Sequence, residues 1–358
     1  EFGIGGLYWE EADVRIALDL SGGNLAARPV VLRQELVHGE PQVDAGLTDT
    51  LHTCLAVDGD RVYNDGRPGL SGPTGPRVQR YEDLFGDGAA RAVEYSSSFL
   101  NQRESTSNTQ MMLEVDAQGL LDCMHEHRSD FFADQTDDRF DSIGTVRNGG
   151  LVWYFTVLGP DSQRASSRYG VRLRNGDRLA ATHSGAPEIQ GLTVVTDQAA
   201  FVQGDYNLEA GWKPASFIAD TFNVISNAWD DDQDSHRGIG SRTAQTTSVY
   251  AAVLSGTDVT GGSEGHGGQN GAYNGGLENY PRFHESWSGR TFYYRGSFVS
   301  LGEPRRANGG WPGTGSVYNA PVRDWNYERR FNDADNLPPL SPRFVYLVQE
   351  RFIRDFER

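Results

Sequence analysis

Hydrophobic residues along this chain alternate with polar residues over short runs, and the runs end at glycine, asparagine or aspartate. In the first part of the chain, residues 14–20 alternate and then reach a turn cluster at residues 21–24, and residues 29–37 form a second run. Alternation with a period of two is typical of strands that bury one face. The pattern predicts a mainly β chain with few short helices.

From residue 149 onward the runs become more apolar. Leu151 to Leu158 is apolar almost throughout, which indicates a strand that is buried on both faces. Turn residues separate the shorter runs that follow, which are residues 169–173, 192–196, 200–203, 216–219, 222–226 and 249–254, and residues 291–300 are predicted to form a pair of strands. Because runs such as 192–196 and 200–203 lie too close for a helical crossover, they suit successive sides of one coil.

The sequence therefore predicts a β-helix or solenoid-like stack of short strands with long loops. An antiparallel β-sandwich is the alternative, since short, evenly spaced strands suit that architecture too. We expect residues 1–140 to form a β-rich but irregular N-terminal region, with one short helix near residues 111–127 for which Asp116 is a possible cap. Residues 141–358 form the predicted β-helix-like region.

Charge narrows the range of partners. The formal net charge is −17, and a nucleic-acid binder needs a basic face that this chain does not supply. No stretch of about 18 apolar residues is present, so we expect no membrane span in this chain. The sequence begins at Glu1 instead of methionine, from which we expect a processed form whose signal peptide or export helix has been removed.

Cysteine usage points to an oxidising compartment. Cys54 and Cys123 are the only cysteines, and in an extracellular protein two cysteines suggest one disulfide, here closing a long loop. Two buried thiols in a reducing compartment are the alternative. No CxxC pair is present, so nothing resembles a structural zinc site built on cysteines.

Acidic residues supply the sharpest candidate for a ligand site. Asp230, Asp232 and Asp234 alternate along one loop, so their carboxylates could face one hard cation such as Ca²⁺, which binds through oxygen ligands. The alternative is a solvated acidic loop. A weaker candidate for Ca²⁺ consists of Asp58, Asp60, Asn64 and Asp65.

Signals for catalysis are weak. Residues 261–265 match the G-x-S-x-G pattern formally, but a nucleophile elbow needs a strand before it and a helix after it. His125 and His127 near Cys123 do not have the spacing of a usual zinc site. Aromatic residues are dense toward the C-terminus, where they either stack on sugars or pack in the core. They are Tyr280, Phe283, Trp287, Phe292, Tyr293, Tyr294, Trp311, Tyr318, Trp325 and Tyr327.

Several segments of the second half together resemble a known group of proteins. The segments are residues 191–197, 201–207, 214–220, 223–229, 275–284, 291–301 and 336–342. In this order they are similar to exported bacterial proteins of the PilX-like, type IV pilus-associated group, over roughly residues 145–356. Members carry an N-terminal hydrophobic helix, which this chain lacks, followed by a β-rich extracellular region. The resemblance implies a structural or adhesive role outside the cell and no catalytic residues.

The sequence thus favours an extracellular structural or adhesive cell-surface protein, associated with a pilus or filament, and not an enzyme. Its expected partners are further copies of itself, other surface or pilus subunits, and glycans. The alternatives are a polysaccharide-active enzyme on a β-helix, whose site would lie near Arg237 and Arg242, and a carbohydrate-binding module that uses the C-terminal aromatic residues.

Overall fold

The chain folds into three β-sheets that enclose a common core. The structure is a computed structural model, and it describes residues 3–21, 27–57, 90–103, 105, 109–132, 150–159, 169–184, 186, 188–256, 281–300 and 316–341. The mainly β composition predicted from the sequence is confirmed. The sheets are mixed, and the described helices are short.

The first half of the chain combines strands with the longest described helices. Its strands are β1 (Val14–Asp19), β2 (Arg28–Val37), β3 (Glu40–Val43), β4 (Val93–Ser96) and β5 (Met111–Asp116). Its helices are α1 (Leu7–Glu10), α2 (Ala45–Leu51), α3 (Ala117–Glu126) and α4 (Arg128–Phe131). The region near 111–127 is therefore a strand followed by a helix, and Asp116 caps that helix by accepting a hydrogen bond from the amide of Gly119 at 2.8 Å.

The second half consists mainly of short strands. They are β6 (Leu151–Leu158), β7 (Tyr169–Arg174), β8 (Leu192–Thr196), β9 (Ala199–Gln203), β10 (Ala215–Ala219) and β11 (Thr221–Ile225). After helix α5 (Asp231–Asp234) follow β12 (Thr247–Tyr250), β13 (Ala252–Ser255), β14 (Arg282–Phe283), β15 (Thr291–Gly296), β16 (Phe298–Ser300) and β17 (Val322–Tyr327). Short 3-10 turns lie at Glu209–Gly211, Ile239–Ser241, Arg329–Asn332 and Ala334–Asn336. The single run predicted at 249–254 is two strands, because the chain turns between Tyr250 and Ala252 from one sheet to another.

The strands are distributed over three sheets of different length. The long sheet has the order β16-β13-β10-β8-β6-β1-β2-β3, the middle sheet has the order β14-β11-β9-β7-β5-β4, and the short sheet has the order β12-β15-β17. The described pairs among β6 to β17 are parallel, and among the described strands the antiparallel pairs are β1–β2, β2–β3 and β4–β5. An antiparallel sandwich does not have this register.

One core lies between the inner faces of the three sheets. Trp153 of the long sheet, Phe222 of the middle sheet and Phe292 of the short sheet all belong to it, and each is fully buried. Leu120 and Met124 of α3 pack against the same core. Because β1 pairs with β6 and β5 pairs with β7, the sheets also run across the boundary that we expect at residue 140.

Candidate functional site

The aspartates that the sequence singles out lie in and beside the short helix α5. Both carboxylate oxygens of Asp230 accept hydrogen bonds from Gln233, and the carboxylate of Asp234 accepts one from the Asp230 amide at 2.9 Å. The side chains of Asp230 and Asp234 thus stabilise the helical turn at residues 230–234. The side chain of Asp232 lies outside the described residues, and within the described part of the chain no group of three or more His, Cys, Asp or Glu side chains is arranged to hold a metal ion. The Ca²⁺ site stays a prediction.

Two further candidates fall outside the described residues. The weaker acidic group of Asp58, Asp60, Asn64 and Asp65 lies within 58–89, and the G-x-S-x-G match lies within 257–280.

What the structure brings together near α5 is an ion triad of Glu114, Arg172 and Asp231. The Nε atom of Arg172 donates to Oε2 of Glu114 at 2.9 Å, and its Nη1 and Nη2 atoms donate to the two carboxylate oxygens of Asp231 at 2.9 and 2.6 Å. Arg172 is 0% exposed. Strand β7 places Arg172 on the outer face of the middle sheet, because Val171 and Leu173 on either side of it face the core.

Electrostatics within the ion triad favour the charged forms. Burial by itself would raise the pKa of both carboxyl groups, but the charge and hydrogen bonds of Arg172 outweigh it and hold the pKa of Asp231 and of Glu114 below their usual values. Asp231 gains a further hydrogen bond from Nε1 of Trp229 at 2.6 Å. The ion triad therefore ties β5, β7 and the segment around α5 into one unit.

A second buried polar group, which we call the histidine cluster, surrounds His284 at the end of β14. Nε2 of His284 lies 2.9 Å from Oδ1 of Asn223, and the guanidinium groups of Arg103 and Arg242 donate to the backbone carbonyls of Phe283 and His284. Burial lowers the pKa of His284, and the nearby arginine charges lower it further, so the ring is neutral at neutral pH.

Glu285 completes the histidine cluster. Its carboxylate accepts hydrogen bonds from the amide and the hydroxyl of Ser226 at 2.6 and 2.7 Å. Burial raises the pKa of Glu285 to about 7. A carboxyl group whose pKa lies near neutral pH has the chemistry of a general acid or base.

Burial limits what these two groups of residues can do. Arg172, His284, Glu285 and Arg242 are each at most 2% exposed. Phe99 and Trp229 lie over the same face of the sheet, where they pack against Phe201 and Ile225. In the described part of the chain the charged groups hold two covering segments, residues 96–103 and 226–242, onto the middle sheet, and they do not line an open groove.

The cysteines are placed where an oxidised pair can form. Cys54 and Cys123 are joined as a disulfide, with their Cα atoms 5.3 Å apart and a sequence separation of 69 residues. Next to this bond, Nε2 of His183 lies 2.8 Å from a carboxylate oxygen of Glu126, and the His183 and His125 rings are 6.3 Å apart. With Cys123 in the disulfide, no thiolate is left here for zinc.

The C-terminal aromatic residues divide between the core and the surface. Phe283, Trp287, Phe292 and Tyr294 are buried. Tyr293, Tyr318 and Trp325 are half-buried and Tyr327 is 51% exposed. Tyr280 and Trp311 lie outside the described residues.

Sequence reasoning missed the ion triad and the histidine cluster. A weak signal for the first was present in residues 169–174, where Arg172 and Arg174 alternate with apolar residues and so share one face of a strand. The partners of Arg172 are 58 and 59 residues away, and only the pairing of β7 with β5 and the return of the chain at α5 bring them together.

Two further findings concern membrane-spanning helices and similarity to known proteins. Among the described residues, no helix has the length and apolar character needed to cross a membrane. Comparison with protein-family models, with curated proteins and with solved structures finds no match for this chain.

Proposed function

We propose that this chain is an extracellular structural protein whose stacked strands form a rigid body that associates with other copies or with surface filaments. The observation that carries this proposal is the unbroken parallel register that runs through β1, β6, β8, β10, β13 and β16 in the long sheet. Hydrogen bonds along such a ladder join segments from residue 14 to residue 300 into one stiff element.

The finer architecture that we propose is a β-solenoid. The chain passes from the long sheet to the middle sheet at β6–β7 and β8–β9, and from there to the short sheet in the series β10–β11–β12 and β13–β14–β15. A single coil of a solenoid is too thin to bury a hydrophobic core of its own, so the core would form between stacked coils. Leu120, Leu121 and Met124 of α3 would then cover the N-terminal end of the stack.

The location outside the cell rests on three supports. The Cys54–Cys123 disulfide is typical of oxidising compartments. The net charge of −17 favours solubility at high concentration. The resemblance of residues 145–356 to pilus-associated proteins favours a filament or cell-surface setting.

Assembly is the property that tests a structural role. We expect the purified chain to form oligomers or filaments as its concentration rises, visible by negative-stain electron microscopy and by light scattering coupled to gel filtration. A homogeneous monomer at millimolar concentration, with no change in mass, would contradict the proposal.

A polysaccharide-active enzyme is the second candidate function, and the observation that favours it is the buried Glu285 carboxyl group, whose pKa burial raises to about 7. A reducing-sugar assay on mixed polysaccharides, with and without a calcium chelator, separates the two functions. Release of reducing ends that Glu285→Gln abolishes would establish the enzyme. If the chelator alone abolished the release, the Ca²⁺ expected at Asp230, Asp232 and Asp234 would gain support.

A further inference from the structure

The outer faces of the three sheets differ in what covers them. On the long sheet, Tyr8 and Trp9 pack against Val152 and Tyr154, and the carbonyl of Pro339 accepts a hydrogen bond from Thr193. On the middle sheet, the ion triad and the histidine cluster hold the covering segments in place. These two faces are therefore occupied by the chain itself.

The short sheet presents a different outer face. Its side chains alternate, so that Val249, Phe292 and Tyr294 face the core. The residues between them face outward and are half-buried or exposed. They are Ser248, Tyr250, Tyr293, Arg295, Asp324 and Asn326, which we call the tyrosine face.

The register of the short sheet arranges the tyrosine face in two rows. Ser248, Tyr293 and Asp324 lie side by side on β12, β15 and β17, and Tyr250, Arg295 and Asn326 form the next row. Neighbouring strands are about 4.8 Å apart. Tyr250 and Tyr293 are therefore diagonal neighbours, about 7–8 Å apart, at a spacing at which aromatic side chains still share one surface.

Charge on the tyrosine face is internally balanced. Arg295 pairs with the carboxylate of Asp324 at 3.0 Å and donates to the carbonyls of Tyr294 and Asp324. Asp205 and Glu209 lie near the Tyr250 phenol, since they act on its pKa together with Arg295 and Asp324, although burial is the largest cause of its upward shift. The face thus offers hydrogen-bonding groups and two rings but no unpaired cation.

We propose that the tyrosine face binds an uncharged polysaccharide. Aromatic rings stack on the apolar faces of sugar rings, and the carboxylate, amide and hydroxyl groups beside them are the partners that sugar hydroxyls need. A polyanionic glycan is disfavoured because Arg295 is already neutralised and the chain carries a net charge of −17. The inference rests on the extracellular location proposed above but does not depend on filament assembly.

Calorimetric titration of the full chain tests the inference. The probes are hexasaccharides of neutral glucan, xylan, mannan and chitin, with polygalacturonate and heparin as charged comparisons. We expect at least one neutral probe to bind with a dissociation constant below about 1 mM. The substitutions Tyr250→Ala and Tyr293→Ala should each weaken that binding about fivefold to tenfold, through loss of ring contact.

The matched control is Tyr327→Ala. Tyr327 is 51% exposed, whereas the two tyrosines of the face are half-buried, and it pairs with Gly296 and so alternates to the other side of β17. Binding should be unchanged in this variant, and thermal melting should show that all three variants are folded. Absence of binding to every neutral probe, equal loss in Tyr327→Ala, or preferential binding of the charged glycans would overturn the inference. Assembly, measured separately by microscopy, distinguishes this failure from failure of the structural role.

Discussion

Arg172 shows how much one side chain organises in this molecule. It lies on a strand in the middle of the sequence, yet its two carboxylate partners come from β5 and from α5. A buried ion pair of this kind adds little net stability compared with an apolar substitute, but removing one partner leaves an uncompensated charge. The effect of the ion triad is to determine that β5 and α5 pack beside β7.

At Asp231, we predict that the substitution Asp231→Asn lowers the free energy of unfolding by about 3 kcal/mol. Because the pKa of Asp231 is lowered in the folded state, its contribution is fully present above the unfolded pKa of about 4 and is lost progressively as the pH falls from there through the folded pKa. Urea unfolding at pH 7 and at pH 3 measures both effects, and the difference between variant and parent should shrink at pH 3.

A matched control for Asp231→Asn is Glu188→Gln. Glu188 forms an ion pair with Lys213 at 2.8 Å, but its side chain is 71% exposed. An exposed pair is screened by water, so the change should cost less than about 1 kcal/mol. Equal losses in the two variants would show that burial of the ion triad does not matter.

At Glu285, we predict the opposite dependence on pH. Its pKa is raised from 4.5 to about 7 in the folded state, so the stability that it contributes is fully present below pH 4.5 and is lost as the pH rises through 7. The loss is about 3 kcal/mol between these limits. Denaturation curves from pH 4.5 to 8 should show this decline in the parent protein and a flatter profile in Glu285→Gln. A parallel decline in both proteins would assign the effect to another group.

Among the elements, the turn between β15 and β16 depends on one small residue. The Tyr294 hydroxyl lies 2.7 Å from the carbonyl oxygen of Ala251 and 3.0 Å from that of Ser297, at the corner where the chain passes from the short sheet to the long sheet. A Cβ atom on Gly296 would collide with the Ala251 carbonyl oxygen, which belongs to the backbone and cannot rotate away.

We therefore predict that Gly296→Ala destabilises the protein by about 3 kcal/mol, since the backbone segments at Ala251 and Gly296 would have to move apart. Gly240→Ala is the control, because no heavy atom lies within 4 Å of its added methyl group. It should change stability by no more than about 0.5 kcal/mol. Thermal melting of both variants measures the difference, and a similar melting temperature for both would contradict the packing argument.

Elements also show where sequence patterns suffice. Residues 151–158 form a strand buried on both faces, as their uninterrupted apolar character predicts. The same rule failed at residues 249–254, because a periodic run contains no information about a bend. The chain turns at Ala251 so that Val249 lies in the short sheet and Val253 in the long sheet, and both still reach the core.

On the scale of the whole molecule, two connections join segments that are far apart in the sequence. The Tyr8 hydroxyl donates to the Leu340 carbonyl at 3.3 Å across 332 residues of sequence. The Cys54–Cys123 disulfide joins the end of the α2 region to α3. The hydrogen bond holds two distant segments together in the folded state, and the disulfide also restricts the unfolded chain. Neither connection depends on the secondary-structure propensity of nearby residues.

For the disulfide we predict that Cys54→Ser combined with Cys123→Ser lowers stability by about 4 kcal/mol, because the bond closes a loop of about 70 residues in the unfolded state. Denaturant titrations with and without a reducing agent measure this effect. The parent should lose stability in the reducing agent and the double variant should not respond. If neither protein responded, the bond would not contribute.

The sequence by itself determined the mainly β composition and the cap at Asp116, and its two cysteines were the candidates for a disulfide, because each of these follows from composition or from residues close together in the chain. Only the tertiary structure decided which residues form the ion triad, the histidine cluster and the tyrosine face. Strand register brings these side chains together from positions tens of residues apart, and a short strand does not specify its neighbour by its own pattern of polar and apolar residues.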